Sequence, residues 1–369
     1  MRLNFFGENL SIDESLCIYI LSFLDPKTRE KTKLVNHEWK HIVKVTHSNL
    51  SLLPKMQQIP QLASYSLADM TIKKLFGGMT NCTYKISVKK NNRDKWVLRV
   101  PGEGSTAFIN RNDEAYNAKI AASIGLNVSI GFIGEDGLQL TRFLGKSSAL
   151  DDYLLKNSAI ISLVASSLKR LHRSESFQNS IALFPRNSDL LKKLIDAKKD
   201  FPHDLQDIVL HMAKLQALCE KYKIAQVPCH NDATPGNFLL TEGKERELHL
   251  IDWEYSSNND ALWDLVYFAM EAKLSSEQEN ILLSSYFDEL NNGILAWFTL
   301  YKPLVSWWIT LWAWTQMANQ ANACDLTQYK ELADKNYDAT KKLLLTTTFM
   351  HSLEYLESNS QASLGTRPF

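Results

Sequence analysis

Hydrophobic positions in the middle of the chain follow two different periods. Between residues 205 and 218 they recur every three or four residues, which predicts the buried face of a helix. Two short apolar runs follow, at 238–240 and 248–251, and charged residues around Gly243 separate them. Runs of this length with turn residues between them predict two strands joined in a hairpin. The helix leads to the loop and hairpin between Pro228 and Tyr255, the segment around which the rest of the chain is organised.

Polar residues stand at both ends of the predicted hairpin. His230, Asp232 and Asn237 lie in the loop before its first strand, and Asp252 stands where the second strand ends. Folding the hairpin would bring Asp232, Asn237 and Asp252 together. Oxygen ligands such as Asn237 and Asp252 suit Mg²⁺ beside substrate phosphates. Asp232 would then orient an acceptor hydroxyl and take its proton. Turn residues with a solvated carboxylate are the alternative interpretation, which the spacing of the whole string disfavours.

The motif H-x-D-x-x-x-x-N followed by I-D resembles that of phosphotransferases with a protein-kinase-like fold. The longer form, HND and N followed by IDWEY, resembles the choline/ethanolamine kinase family, including its bacterial members. The resemblance covers nearly all of residues 70–355. It implies an α+β fold with two lobes, a small antiparallel-sheet lobe and a larger helical lobe. It also implies ATP, Mg²⁺ and phosphoryl transfer to choline or a related amino alcohol, with His230 organising the loop.

The expected small lobe begins with strands and a glycine turn. Apolar and β-branched runs predict strands at 71–76, 82–88 and 95–100. Gly77 and Gly78 alone indicate only a turn, but LFGGMTNCTYKI resembles the nucleotide-covering hairpin of the family. Gly77, Gly78, Thr80 and Asn81 are therefore expected to contact the phosphates.

Arg99 lies inside the third strand and resembles the family's phosphate-binding cation; an arginine that faces solvent is the alternative. A helix at 109–123 carries Glu114, which the resemblance makes the partner of Arg99, although Asp113 is adjacent. Residues 138–145 resemble the strand and hinge between the lobes. Adenine would contact the backbone of residues 141–143 there, including Arg142 and Phe143.

A tryptophan-rich helix supplies the expected acceptor pocket. It is apolar nearly all round, which predicts burial, so most of its tryptophans must be core residues. WWITLWAWTQ resembles the family's choline-pocket helix, with Trp312 as the best match, whereas the other pocket tryptophan aligns with Ile309, next to Trp308. A quaternary ammonium is recognised by charge and aromatic faces. The residues expected to contact the acceptor are Asp232, Tyr255, Glu271, Trp308 and Trp312.

The first fifty residues predict short helices. Ser11 to Glu14 has the S-x-x-E pattern of a capping box, and Asp25-Pro26 would end the first helix. LSFLDPKTREKTKLVNHEWKHIV resembles an F-box, the module that docks on the adaptor of SCF-type ubiquitin ligases, although Ser11-Ile12 replaces its usual Leu-Pro pair. An ordinary helical cap on the kinase body is the alternative. The matching positions expected to bind the adaptor include Leu21, Phe23, Leu24, Pro26, Val35 and Trp39.

These segments predict five regions. They are an all-helical F-box-like module at 1–50, a linker at 51–68, an N-lobe at 69–145, a C-lobe at 146–355 and a disordered tail at 356–369. An F-box beside a bacterial-type kinase suggests an effector that acts in the cytosol of a eukaryotic host.

Composition narrows the setting. Basic and acidic residues balance at 41 each, so no bulk charge indicates nucleic acid as a partner. Five cysteines without C-x-x-C spacing indicate a reducing compartment. The first ten residues lack the apolar core of a signal peptide, and the most apolar segment is shorter than the about 20 residues that span a bilayer. We therefore expect a cytoplasmic protein with no membrane span.

Two other functions fit parts of the sequence. The same fold could phosphorylate an aminoglycoside, thiamine, a sugar or a protein hydroxyl, but such acceptors favour carboxylates over an aromatic wall. An F-box adaptor could instead use the kinase-like body as a target-binding scaffold. The intact set of Asp232, Asn237 and Asp252 favours an active enzyme over that second function.

Overall fold

The computed structural model describes residues 2–5, 8–11, 21–33, 50–75, 81–89, 95–102, 109–222, 224–243, 246–319 and 326–359. The chain forms two compact units. The first comprises Met1–Gly102 and Ser129–Phe143, and the second comprises Glu103–Val128 and Leu144–Phe369.

The described strands belong to four antiparallel sheets. In chain order they are β1 (Arg2–Phe5), β2 (Glu8–Ser11), β3 (Met70–Leu75), β4 (Asn81–Val88), β5 (Lys95–Pro101), β6 (Ile130–Ile133), β7 (Gln139–Arg142), β8 (Ser147–Ala149), β9 (Val227–Cys229), β10 (Phe238–Thr241), β11 (Leu248–Leu250) and β12 (Ser257–Asn259).

The described helices lie mainly in the second unit. In chain order they are α1 (Pro26–Thr32), α2 (Arg111–Ser123), α3 (Ser158–His172), α4 (Leu183–Asp196), α5 (Leu205–Tyr222), α6 (Ala261–Glu271), α7 (Ser276–Tyr286), α8 (Asn292–Ala318), α9 (Leu326–Leu344) and α10 (Thr347–Ser358).

The first unit is built on a five-stranded antiparallel sheet in the order β3-β4-β5-β7-β6. Alternate residues of its strands, such as Ile86, Leu98 and Leu140, point into one buried core because successive side chains of a strand face opposite sides. The three strands predicted at its start are confirmed to within a residue or two. A sheet unit and a helix-rich unit thus match the two lobes of the predicted fold class.

The predicted linker at 51–68 is wrong. Residues 50–56 are helical, and Leu52, Met56, Ile59 and Leu62 are buried in the same core as the sheet. Their spacing of three or four positions is that of a packed helix and its continuation. Two prolines and two glutamines between them are exposed, namely Pro54, Gln57, Gln58 and Pro60. Their presence made the composition of the segment resemble that of a linker.

The N-terminal segment is not all-helical, contrary to prediction. Strands β1 and β2 form an antiparallel hairpin, so Ser11 ends a strand and does not begin a helix. The predicted stop at Asp25-Pro26 is confirmed, since Asp25 caps α1 by accepting from the amides of Lys27 and Thr28 at 3.0 and 3.1 Å.

The residues expected to bind the SCF adaptor differ from one another in how much of their surface is exposed. Leu21 is buried, with 1% of its surface exposed, so it is a core residue and not a docking contact. Phe23 is 71% exposed, Leu24 is half-buried and Pro26 is exposed. Val35 and Trp39 lie outside the described residues.

The second unit consists mainly of helices and also contains two small sheets, in the orders β11-β10-β8 and β12-β9. The tryptophan-rich α8 is buried along most of its length, as its all-round apolar sequence predicts. Helix α2 clusters with this unit and not with the predicted N-lobe, because Asn117 donates to the Ser256 backbone at 3.0 Å. The predicted tail begins too early, since α10 continues to Ser358 and Leu356 is fully buried. Among the described helices none is long and apolar enough to cross a membrane.

Candidate active site

The predicted hairpin is formed by β10 and β11. Phe238 pairs with Leu250 in antiparallel register, and the Ile251 amide donates to the Asn237 carbonyl at 2.9 Å. Asn237 immediately precedes β10 and Asp252 follows Ile251, so both residues stand at the same end of the hairpin. This register confirms the convergence predicted from the sequence for Asn237 and Asp252.

Asp232 is held against Asn237. The Asn237 side-chain nitrogen donates to the Asp232 backbone carbonyl at 2.9 Å and to Asp232 Oδ2 at 3.0 Å. Desolvation and the nearby charge of Asp252 raise the pKa of Asp232 well above its usual range, while hydrogen bonds from Tyr267 and Asn237 oppose that rise. The carboxylates of Asp232 and Asp252 therefore lie close enough to influence each other, which makes this end of the hairpin a suitable place for a cation.

Two residues of the site have left-handed backbone conformations. Asn231 has φ 66° and Asp252 has φ 69°, and both are rare for residues other than glycine. The side-chain amide of Asn231 is held by two hydrogen bonds. Its Nδ2 donates to Ser257 Oγ at 2.8 Å, and its Oδ1 accepts from Asn259 Nδ2 at 2.8 Å. Such conformations persist where surrounding contacts over-determine them, which is common at functional sites.

His230 is completely buried and organises the loop from within. Its Nε2 lies 2.9 Å from the Ile251 carbonyl and its Nδ1 lies 3.3 Å from the Asp232 amide. Burial lowers its pKa. An imidazole that donates from Nε2 and accepts at Nδ1 is neutral, so the geometry suits a positioning residue.

Asp264 of α6 anchors the same loop. Its carboxylate accepts from the backbone amides of His230 and Asn231, each at 2.7 Å, and lies 3.2 Å from His172 Nε2. Asp264 thus ties α6 to the loop. His172 is packed and hydrogen-bonded, with Tyr286 2.7 Å from its Nδ1.

Several predicted acceptor residues meet near Asp232. Trp312 Nε1 donates to the Tyr255 hydroxyl at 2.9 Å. Tyr267, which the sequence analysis missed, donates to Asp232, and the neighbouring charges of Asp232 and Glu271 help to raise its pKa well above the usual range, after desolvation. Asp264, Tyr267 and Glu271 lie three and four positions apart on α6, so helical spacing alone would have indicated Tyr267.

Trp308 has a different environment from the one predicted. The guanidinium carbon of Arg186 lies 3.5 Å from the centre of the Trp308 ring, in cation–π geometry. Only 6% of Trp308 is exposed. The Trp308 ring, which was expected to contact the cationic group of the acceptor, is therefore already stacked against the guanidinium of Arg186. No motif in the sequence indicated Arg186.

Two of the residues predicted to bind the nucleotide, Asn81 and Arg99, lie on the sheet of the first unit. Arg99 is buried in β5, which excludes the solvent-facing alternative, and Asn81 begins β4. The amide of Arg142 donates to the Ser129 carbonyl and that of Phe143 to the Lys95 carbonyl. The expected contact of adenine with the backbone of residues 141–143 stays a prediction. Gly77, Gly78 and Thr80 lie outside the described residues.

Glu114 is 2% exposed and accepts from Arg111 Nη1 at 2.6 Å. Arg111 also lies 3.3 Å from Glu254, so this guanidinium bridges the start of α2 and the segment after Asp252. The proposed pairing of Glu114 with Arg99 stays a prediction.

An antiparallel-sheet unit, a helical unit and a hairpin that gathers two carboxylates and an amide define a kinase-like phosphotransferase. The family model of choline/ethanolamine kinase matches residues 72–286, more than half of the chain. The chain belongs to the choline/ethanolamine kinase family and is a small-molecule kinase.

Individual relatives agree with this assignment. Protein LicA of Haemophilus influenzae is 32% identical over 284 residues, which are 73% of this chain and 78% of LicA. A choline/ethanolamine kinase family protein from Mesorhizobium loti is 26% identical, with a TM-score of 0.72 over 84% of this chain and 99% of that one. The fold of LicA in complex with AMP matches with a TM-score of 0.63 at 22% identity, over 79% and 98% of the two chains.

Proposed function

We propose that this kinase transfers the γ-phosphoryl group of ATP to the hydroxyl of choline or a related amino alcohol. The observation that carries the proposal is the position of Asp232. Its carboxylate receives hydrogen bonds from Asn237 and Tyr267. Glu271 lies near Tyr267, and Tyr255, which accepts a hydrogen bond from Trp312, lies near Asp232.

Asp232 is the proposed base. A hydroxyl of the acceptor donates to its carboxylate, which fixes the attacking oxygen and accepts the proton as the O–P bond forms and the bond to ADP breaks. Desolvation and the charge of Asp252 raise the pKa of Asp232 and so strengthen it as a base. Tyr267 and Asn237 oppose the rise and keep the carboxylate oriented.

Asn237 and Asp252 fit a Mg²⁺ site. The nitrogen of Asn237 is used toward Asp232, which leaves its amide oxygen as the atom for a hard cation. Asp252 supplies a carboxylate at the same end of the hairpin, beside a second negative charge. When bound there, Mg²⁺ would neutralise charge on the transferred phosphoryl group.

The acceptor's amine is the second feature of the proposed substrate. Glu271 provides a negative charge next to Tyr267, and Tyr255 and Trp312 provide aromatic surface joined by a hydrogen bond. A positively charged amino group gains from both a carboxylate and aromatic faces. An aminoglycoside acceptor is less consistent with this aromatic lining.

The nucleotide is proposed to contact the first unit. Arg99 is the proposed ligand of the α- and β-phosphates, because its planar fork binds phosphate oxygens in pairs. Residues 77–81 are the proposed cover of the phosphates. The AMP complex of LicA, whose fold this chain shares, supports an adenine nucleotide as the donor.

Two variants test the assignment of roles. Asp232→Asn should lower kcat by at least about 100-fold with nucleotide binding retained, since it removes the base alone. Asp252→Asn should weaken Mg²⁺-dependent nucleotide binding as well as turnover. Asp288→Asn changes an exposed carboxylate that pairs with Lys169 and serves as the matched control. Wild-type turnover in Asp232→Asn would remove Asp232 from the mechanism.

A second proposal concerns the N-terminal segment. Phe23 is a large hydrophobic residue with 71% of its surface exposed next to the cap of α1, which is consistent with docking on an SCF adaptor after delivery to a host cytosol. A pull-down with the adaptor should recover the wild type and not the Phe23→Ala, Leu24→Ala double variant. Equal recovery of both proteins would exclude this role for the two residues.

A further inference from the structure

Asn117 of α2 is a completely buried polar residue for which the proposed reaction gives no use. Its Nδ2 donates to the Ser256 carbonyl at 3.0 Å and lies 3.1 Å from Ser256 Oγ. The same nitrogen donates to Asn179 Oδ1 at 3.0 Å, and Asn179 Nδ2 donates to the Ser256 carbonyl at 2.9 Å. One residue of the segment that follows Asp252 is therefore held by two side-chain amides from distant parts of the chain.

The orientation of the Asn117 amide is set by these partners. The Ser256 carbonyl and Asn179 Oδ1 can only accept hydrogen bonds, so the nitrogen of Asn117 must face them. The oxygen of the same amide is buried and has no hydrogen-bond partner among the described residues. A buried polar atom without a partner costs free energy, so the stability of the core alone does not account for an asparagine at this position.

The segment around Ser256 is the one to which the loop of the proposed base is attached. Asn231 Nδ2 donates to the Tyr255 carbonyl at 3.0 Å and to Ser257 Oγ at 2.8 Å, so it binds the residues on either side of Ser256. Asn231 directly precedes Asp232 in the chain and has a left-handed backbone conformation that its contacts must maintain. A shift of this segment would therefore move Asn231 and, with it, the carboxylate of Asp232.

The same segment carries two other groups of the proposed site. It begins at Asp252, a proposed ligand of Mg²⁺, and it includes Tyr255, whose hydroxyl accepts from Trp312 at 2.9 Å. A second contact from α2 lies near its start, where Arg111 Nη1 is 3.3 Å from Glu254 Oε2. Helix α2 therefore contacts this segment at two points, between the proposed metal ligand and the attachment of the loop.

We propose that Asn117 is a positioning residue for Asp232. It acts through Ser256 and Asn231, which hold the carboxylate where it accepts the proton of the acceptor hydroxyl. This inference rests on the proposed function and gives α2 a part in the reaction. A misplacement of about 1 Å, caused by a change far from the reacting atoms, can cost about 100-fold in rate.

The test compares two buried asparagines. Asn117→Ala removes the donor to Ser256, and Asn127→Ala is the matched control. The side chain of Asn127 also lies in the core, but its hydrogen bonds stay within its own segment, to the Ala118 carbonyl at 3.2 Å and from the Val128 amide at 2.8 Å. Both variants lose buried hydrogen bonds next to α2, so a difference between them reports on the contact with Ser256.

Steady-state kinetics separate positioning from stability. With ATP and Mg²⁺ saturating, and with kcat expressed per folded molecule, Asn117→Ala should lower kcat about 10- to 100-fold. It should also raise KM for the acceptor, because Tyr255 moves with the segment. Asn127→Ala should keep the wild-type values of both constants, whatever its effect on Tm. Wild-type constants in folded Asn117→Ala, or changes no larger than those of Asn127→Ala, would overturn the inference.

Hydrogen exchange of backbone amides gives a readout that does not need turnover. Asn117→Ala should speed exchange several-fold in residues 229–238 and 252–259, and Asn127→Ala should leave both regions unchanged. If no acceptor is phosphorylated, the proposed function fails. The exchange data then decide about Asn117, since equal exchange in the two variants would contradict its role.

A second variant covers the case in which Asn117→Ala does not fold. Asn179→Ala removes the other amide that donates to the Ser256 carbonyl. It should show smaller changes of the same kind, in kcat, in KM for the acceptor and in exchange of residues 229–238. Wild-type behaviour of Asn179→Ala in all three measurements would then overturn the inference.

Discussion

The carboxylate of Asp264 accepts the backbone amide of His230 at 2.7 Å, and so a helix residue fixes the loop that carries the proposed base. The same carboxylate accepts the Asn231 amide at 2.7 Å and is completely buried. A buried carboxylate that satisfies two amides stabilises the left-handed conformation of Asn231, which places Asp232 beside Asn237.

Replacement of Asp264 should lower both the free energy of unfolding and kcat. In Asp264→Asn one side-chain oxygen becomes an amino group that faces a backbone donor, which leaves a buried amide without an acceptor. We expect the free energy of unfolding to fall by about 2–4 kcal/mol and kcat to fall with it. Urea unfolding measures the first effect. Asp288→Asn, in which an exposed ion pair is lost, should change the free energy by less than about 1 kcal/mol; equal losses in the two variants would argue against the anchor.

The pH dependence of the reaction should report on Tyr267. Its hydrogen bond to Asp232 lowers the pKa of that carboxylate, against the larger effect of desolvation. Tyr267→Phe removes this bond, so the pKa of Asp232 should rise, and the acid limb of the kcat/KM profile should move to higher pH.

The control for this shift is Tyr286→Phe, which removes another buried hydroxyl, 2.7 Å from His172 and outside the proposed site. Its profile should keep the wild-type acid limb. An acid limb that stays in place in Tyr267→Phe would show that Asp232 is not the group that titrates, or that Tyr267 does not act on it.

Asp232 should lower the stability of the protein at neutral pH. The pKa of Asp232 is raised in the folded state, so folding favours its protonated form, and the carboxylate costs stability at every pH above the folded pKa. Asp232→Asn should therefore raise the midpoint of thermal unfolding at pH 7 by about 2–4 °C, the shift that roughly 1 kcal/mol gives in a domain of this size.

That difference should shrink as the pH falls through the folded pKa of Asp232 toward the unfolded value of about 3.9. Differential scanning calorimetry at several pH values measures it. A variant less stable than the wild type at pH 7 would contradict the sign of this linkage.

The packing of residues 50–62 gives a prediction for the first unit. Ile59 is fully buried against the sheet, so Ile59→Ala should lower the free energy of unfolding by about 2–5 kcal/mol. Gln58→Ala changes an exposed neighbour and should have little effect. Chemical unfolding of both variants measures the difference, and a neutral Ile59→Ala would restore the linker interpretation.

Local patterns predicted the parts of the site that depend on register. Antiparallel pairing of two short runs is enough to place Asn237 and Asp252 at one end, whatever the rest of the chain does. The burial of α8 followed similarly from its all-round apolar sequence. These features depend only on residues that are close together in the sequence or on a single turn, which is why they could be predicted from the sequence.

Features that depend on distant contacts were missed. Arg186 and Trp308 lie on different helices, α4 and α8, and nothing near either residue marks their stacking. The segment with Ile59 looked like a linker because its apolar residues are covered by strands that come later in the chain. The exposure of Phe23 and the burial of Leu21 likewise depend on packing that a helical spacing does not specify.

The most direct test of the central claim is ATP turnover by the purified protein with Mg²⁺ and a panel of acceptors, with Asp232→Asn as the blank. The panel contains choline, ethanolamine and its methylated forms, serine, thiamine and an aminoglycoside, and ³¹P nuclear magnetic resonance identifies the product. We expect a phosphate ester of an amino alcohol that is absent from the blank. Measurable ATP binding without phosphorylation of any small acceptor would contradict the account.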